Sequence, residues 1–445
     1  MKLVCFSTFM VLCLAIIAVP VIAQDIIYLP LVNSYDLSQA PTSTPSLTPT
    51  PTNTTVQTVI STSTEIPTSS STTTVTPIST TSSTFTVTPT PTSTFTATPT
   101  ATTTPCATLQ GILQSDTTLV SGCNYNVTNN VLVPAGITLS VPSDITLRFN
   151  PEIYLLVNGS LIVSGTADAP SRFTGTNSLA WGGVKIQQSD DLIPSVNSLN
   201  YLVIEYAQGA PSIQTGSALY ISYAKASISN VTFQYNTSPF YLRGERGYGP
   251  VSVRNSKVIS NTRGAVLMYP DSSIDEVVFS NNSINEDYSA VLTVCQTSYI
   301  RNSSFLNNTT AAIRTTGCNS PTLIENNVIA GNDGVIVVTL SNPTITLNSN
   351  DIYNNRKLKQ PNNDSIDALI YTDCGLTITN NNIYSNTALH AMRSKSNNCD
   401  SAPIDATNNW WGTVITSEID SLIYDYDDDF TLGKIMYEPF SIEPN

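Results

Sequence analysis

The chain has 445 residues, a formal charge of −14, a pI near 4.4 and only 18 Lys and Arg. Binding to nucleic-acid phosphates needs a basic surface, and this composition excludes it. With 11% charged residues and many Ser, Thr and Asn, the composition suits a neutral polar surface outside the cell, where a glycan is the expected kind of partner.

In chain order, Lys2 precedes an apolar run from Leu3 to Ile22, and Val21-Ile22-Ala23 ends it. This pattern predicts a signal peptide over 1–23 and a secreted or cell-surface protein. A short segment, 24–40, follows. No later apolar run reaches spanning length, so the mature chain is expected not to be embedded in a membrane. From Pro41 to Pro105, 50 of 65 residues are Ser, Thr or Pro. So few apolar side chains cannot offset the entropy of ordering, and proline favours extended backbone. Residues 41–105 are therefore expected to be a disordered stalk, with a reach on the order of 200 Å.

Residues 106–445 carry an internal repeat. A polar residue, two residues, an apolar residue, two residues and usually Asn recur as Asn230-Phe233-Asn236, Asn255-Val258-Asn261 and Asp275-Val278-Asn281. The series continues with Asn302-Phe305-Asn308, Asn326-Ile329-Asn332, Ser349-Ile352-Asn355 and Asn380-Ile383-Asn386. Asn200-Val203-Tyr206 and Thr407 to Trp410 are divergent ends, and the eight intervals from Val203 to Trp410 average about 26 residues. Short strands at this period, without helical periodicity, suit coils that stack as parallel sheets about 4.8 Å apart. Val203, Phe233, Val258, Val278, Phe305, Ile329, Ile352 and Ile383 are expected to form one inward column. The following asparagines are expected to stack at a turn.

Six cysteines follow the signal. Cys295 to Cys318 spans 23 residues and Cys374 to Cys399 spans 25, about one coil each. Stacked positions fall inside the disulfide window of about 4.4–6.8 Å. The expected bridges are Cys295–Cys318 and Cys374–Cys399, with Cys106–Cys123 pinning the start of the domain.

The run Ile137 to Phe149 resembles the opening coil of exported right-handed parallel β-helix proteins, as do Asn158 to Thr166 and Trp181 to Ile186. Asn408-Asn409-Trp410-Trp411-Gly412 and the stretch Tyr426 to Phe440 resemble their closing segment. The resemblance, over 106–445, is to the pectin lyase-like superfamily. It implies an all-β, single-stranded solenoid, and it says little about activity.

The polysaccharide-cleaving signatures of that superfamily are missing from the sequence, so the reading leans away from catalysis. His390 is a lone histidine, read as structural rather than as a general base. Asp190 and Asp191 read as a solvated turn. Asp425, Asp427, Asp428 and Asp429 read as an end cap, with calcium the weaker alternative. No cofactor is expected. Arg243, Arg314 and Arg393 follow equivalent strands and read as separate surface charges.

Two longer excursions, Arg243 to Gly249 and Arg356 to Asp367, are expected to be ligand loops. Arg243, Arg246, Tyr248, Tyr220 and Tyr223 are the candidate ligand-binding residues, with Tyr235 and Tyr241 nearby in sequence. Tyrosine rings offer flat faces for stacking on sugars. The expected role is non-catalytic binding of a polysaccharide or surface glycan, or adhesion, by a monomer. The alternative is a lyase or hydrolase acting on an acidic polysaccharide.

Overall fold

A computed structural model describes residue 106 and residues 108–445, apart from ten short stretches (188–194, 210–215, 245–249, 285–289, 296–297, 317–320, 340–344, 358–366, 373–375 and 396–402). The expected signal and stalk lie outside the described residues. So do Asp190, Asp191, Arg246, Tyr248, Cys318, Cys374 and Cys399.

The domain is a parallel β-solenoid. Each coil visits three sheets in turn, as in Ala265–Met268, Ser272–Asp275 and Val278–Ser280 before Ala290–Val294 returns to the first sheet. The first sheet has 13 strands, from Gly111–Ile112 to Ile423–Tyr424, and successive strands pair in parallel. Strands this short form because alternate residues are apolar and face one closed interior, as the buried–exposed alternation of Leu376–Thr379 illustrates.

The third sheet shows the stacking most plainly. Phe233, Val258, Phe279, Phe305, Ile329, Ile352 and Ile383 lie in register, one per coil. All are buried, and the rings of Phe279 and Phe305 stack at 4.7 Å. Six of the eight expected column members are thus inward. Val203 and Val278 are not: Ile204 and Phe279 take those places, and the two valines are half-exposed. A one-residue slip turns a strand residue to the opposite face.

What sets the register is the backbone at the corner between the second and third sheets. From Tyr201 onward one residue per coil there is left-handed: Asn230 (φ 55°), Asn255 (45°), Asn302 (50°), Asn326 (56°), Asn380 (58°) and Asn408 (58°). Tyr201, Glu276 and Ser349 fill the same place in the remaining coils. Asparagine tolerates this conformation better than most residues.

Two columns of buried asparagine flank the short third strand. One runs Asn236, Asn261, Asn282, Asn308, Asn332, Asn355 and the half-exposed Asn386; Asn236 accepts at its Oδ1 from the Ala207 N–H, and each later member from the rung before it. The other runs Asn327, Asn350, Asn381 and Asn409 and is built in the same way. The expected rung Asn281 is instead an exposed left-handed residue (φ 54°), and its neighbour Asn282 is the buried one.

Cys106 and Cys123 form the expected disulfide, with Cα atoms 5.7 Å apart. Cys295 is also disulfide-bonded. At the far end, Trp411 and Ile419 of the Thr416–Ser421 helix are buried over the last coils.

Candidate functional site

The outer face of the first sheet carries a single row of register-matched residues: Lys185, Tyr220, Tyr241, Val266, Thr293, Arg314, Val337, Tyr371, Arg393 and Tyr424. Seven of the ten are Tyr, Lys or Arg. The described side chains are half-exposed, because each strand turns its aliphatic neighbours inward. Nine coil steps at about 4.8 Å make the row roughly 43 Å long.

Neighbouring members touch. The rings of Tyr220 and Tyr241 stack at 5.7 Å, and the Lys185 ammonium lies 5.7 Å from the Tyr220 ring centre. The Arg393 guanidinium lies 5.0 Å from the centre of the Tyr424 ring. Burial raises the Tyr241 phenol above its ordinary value, against the pull of Arg243, so this hydroxyl stays neutral and able to donate.

Beside the C-terminal part of this row, a cleft of about 660 Å³ is lined by Arg356, Lys357, Asp367, Asn386, Thr387, Ala388 and Leu389. The Arg356 Nε is 2.7 Å from the buried Asp333 carboxylate. The Leu389 N–H donates to Asp367 Oδ1 at 3.0 Å, and the His390 N–H donates to the Asp367 carbonyl at 2.9 Å. These bonds hold the entry to strand His390–Ser394 against the preceding coil.

Residues 217–360 match the family described as the right handed beta helix region, and every strand pairing among the described residues is parallel. The described domain has the fold of a right-handed parallel β-helix, and the family match covers about a third of the chain. No significant match to it was found among curated proteins or among solved structures.

On the β-helix the predicted site residues separate. Tyr220 belongs to the row. Arg243 lies on the same sheet two residues beyond Tyr241, in register with Ser222 and Met268, and is exposed. It therefore does not share a row with Arg314 and Arg393. Tyr223 is a left-handed turn residue (φ 53°) whose N–H donates to the Arg243 carbonyl. Tyr235 stacks on Tyr206 at 5.6 Å, at the corner that follows the third sheet. Of the two expected ligand loops, the ends of the second, Arg356, Lys357 and Asp367, line the cleft.

His390 packs 5.1 Å from the Tyr424 ring, and its Nδ1 is buried with no hydrogen-bond partner among the described residues. The acidic run is engaged in the C-terminal turn. Asp425 accepts from the Ile435 and Asp427 N–H groups, Asp428 from that of Asp425, and Asp429 from Thr431. Lys434 pairs with Asp427 and approaches Asp425 to 3.7 Å.

Tyr371 and Tyr424 were not singled out from the sequence. Both follow a buried aliphatic residue, Ile370 or Ile423, in a short strand. That local cue is shared with many surface positions, and only coil-by-coil register brings them into line.

Proposed function

We propose that the β-helix is exported and binds polysaccharide, without cleaving it, along the outer face of its first sheet. The Ser/Thr/Pro-rich region would serve as a spacer that holds it off a surface. The row of four tyrosines and three cations on one rigid face carries this reading. Ring edges and hydroxyls along one rigid row suit contacts with sugars, and the cations suit carboxylates or sulfates along a chain.

The test is a glycan array with the full mature chain, run beside reducing-end and unsaturated-product assays on acidic polysaccharides. Binding without product is expected. Tyr241→Ala and Tyr371→Ala should each weaken binding by up to about tenfold. Steady product release by the purified chain would overturn the reading.

One observation favours a second reading, a polysaccharide-cleaving enzyme. The cleft brings Arg356 and Lys357 to the same opening as Asp367. Activity lost in both Lys357→Gln and Asp367→Asn variants would favour that reading.

A further inference from the structure

The asparagine column that flanks the first sheet ends differently from its partner. Within the column, each rung gives two donors to the Oδ1 of the next: its backbone N–H and its Nδ2. The distances are 3.0 and 2.9 Å from Asn282 to Asn308, and 3.1 and 2.7 Å from Asn308 to Asn332. They are 2.9 and 3.2 Å from Asn355 to Asn386. Asn386 is the last rung. Its Oδ1 is used from below, and its Nδ2 reaches the Ile352 carbonyl at 3.0 Å.

The next coil turns at Gly412 (φ 82°) and enters the Thr416–Ser421 helix without supplying another asparagine. Among the described residues no hydrogen bond is found from the Asn386 N–H, or from its Nδ2 beyond the one to Ile352. The second column, by contrast, ends under the C-terminal tail. There the Ser441 N–H donates to the Asn409 carbonyl at 2.9 Å and the Asn445 side chain donates to the Asn408 carbonyl at 3.2 Å.

Asn386 lines the cleft that also holds Lys357, the Asp367 carboxylate and Arg356, whose Nε is paired with Asp333. With the geometry of the rungs below, the Asn386 backbone N–H and one hydrogen of its Nδ2 would converge on a point shaped for a planar amide oxygen, with Lys357 at the same opening. We propose that this cleft is a binding site for a sugar bearing an sp² oxygen, either a carboxylate or an acetamido carbonyl, seated as the missing rung of the column. The geometry of the column carries this site, and it does not depend on the tyrosine row. An sp² oxygen can take both donors in the plane of its lone pairs, as every rung below does, whereas a sugar hydroxyl cannot reproduce that planar acceptor.

The experiment is calorimetric titration of the full chain at constant ionic strength with galacturonate and N-acetylglucosamine. Galactose and glucose serve as partners lacking the sp² group. Saturable binding of galacturonate or N-acetylglucosamine is expected, at least about tenfold tighter than its partner sugar. The pair that discriminates identifies the source of the oxygen. Asn386→Asp keeps an acceptor for Asn355 but removes the Nδ2 donor, and should weaken binding by about tenfold or more.

Lys357→Gln alters an exposed side chain, so folding is not at issue. It should weaken galacturonate selectively, while Lys257→Gln on the third sheet should change nothing. Equal binding of all four sugars, or binding untouched by Asn386→Asp and Lys357→Gln, would overturn the site. Polysaccharide capture that persists without any monosaccharide binding would sink this proposal and leave the tyrosine row standing.

Discussion

The coils before about residue 200 and those after it build the same three-sheet cross-section by different means. In the early coils three large rings cluster within an otherwise aliphatic interior. Phe149 stacks on Trp181 at 4.1 Å and meets Phe173 edge-on at 6.2 Å. The Cys106–Cys123 bridge closes the first turn. In the later coils large rings are buried too, among them Phe233, Phe240, Tyr269, Phe279 and Phe305, and what differs is that the corners are held by buried asparagines. A solenoid must satisfy its corner backbone groups in every coil, since orphaned buried groups are costly. The later coils do so with a repeated side chain, and repetition is what makes a sequence periodic.

The comparison breaks most sharply at Trp181. Its ring is 1% exposed and its indole N–H donates to the Glu205 carbonyl at 2.8 Å. Trp181→Ala should destabilise the chain by about 3–5 kcal/mol, measured by urea unfolding. Trp181→Phe should recover much of that, because the stack on Phe149 survives and one hydrogen bond is lost. A loss for Trp181→Ala no larger than for Trp181→Phe would mean that the rings do not carry the early coils.

In the later coils the matching position is Asn308. It accepts from Asn282, donates to Asn332 and bonds the Phe279 carbonyl at 3.1 Å. Asn308→Ala leaves buried partners on both sides unpaired and should cost about 3 kcal/mol by the same measurement. Asn386→Ala, at the end of the column, orphans partners on one side only and should cost about half as much. Equal losses at the two positions would show that the column does not act as a linked chain.

The same contrast explains what could be read from the sequence. The repeat was visible from about Asn200 onward because each coil spends asparagine on its corners, and the fold class followed from that period. The register was not fully visible. Val203-Ile204 and Val278-Phe279 each offer two adjacent β-forming residues, and choosing the inward one requires knowing which neighbour takes the left-handed corner. In those coils it is Tyr201 and Glu276, which do not announce it as asparagine does. The second column was hidden in the doublets Asn326-Asn327, Asn380-Asn381 and Asn408-Asn409, where the first residue makes the bend and the second makes the rung.

The tyrosine row was the least legible feature. Leu242 and Ile313 look equivalent, each an inward aliphatic residue followed by arginine. Yet Leu242 is in register with Leu267, Val294 and Thr315, one inward place further along its strand than Ile313. Coils that differ in loop length scatter a straight row across unequal sequence intervals.

Where the two regions meet, Glu205 offers a test that depends on pH. Burial alone would raise its carboxyl, but hydrogen bonds from Gln234 and Arg172, the Arg172 charge and a bond from Thr174 together hold it below the ordinary 4.5. A carboxyl lowered in the folded state contributes stability that is present above 4.5 and is lost as pH falls through its folded value. Wild-type stability should therefore fall with acid below pH 4.5, and Glu205→Gln should flatten that part of the profile while being less stable at neutral pH. Parallel profiles for the two proteins would remove Glu205 from the junction's account.

The smallest effect asks whether the asparagine corners are a requirement or a preference. Glu276 holds φ 56° at the corner where most later coils have asparagine, and its side chain is exposed. An ordinary residue pays a steric penalty in the left-handed region that asparagine partly escapes through its local backbone hydrogen bond. Glu276→Asn should therefore stabilise the chain by about 0.5–1 kcal/mol, and Ser349→Asn by less, since serine is already small and polar. Asn302→Glu should cost more than Glu276→Asn gains, because it also removes the side-chain bond to Asp275 and sets a second carboxylate beside it. If Glu276→Asn were neutral while Asn302→Glu destabilised, the asparagine at 302 would be valued for its side-chain bond to Asp275, 2.9 Å away, rather than for its backbone.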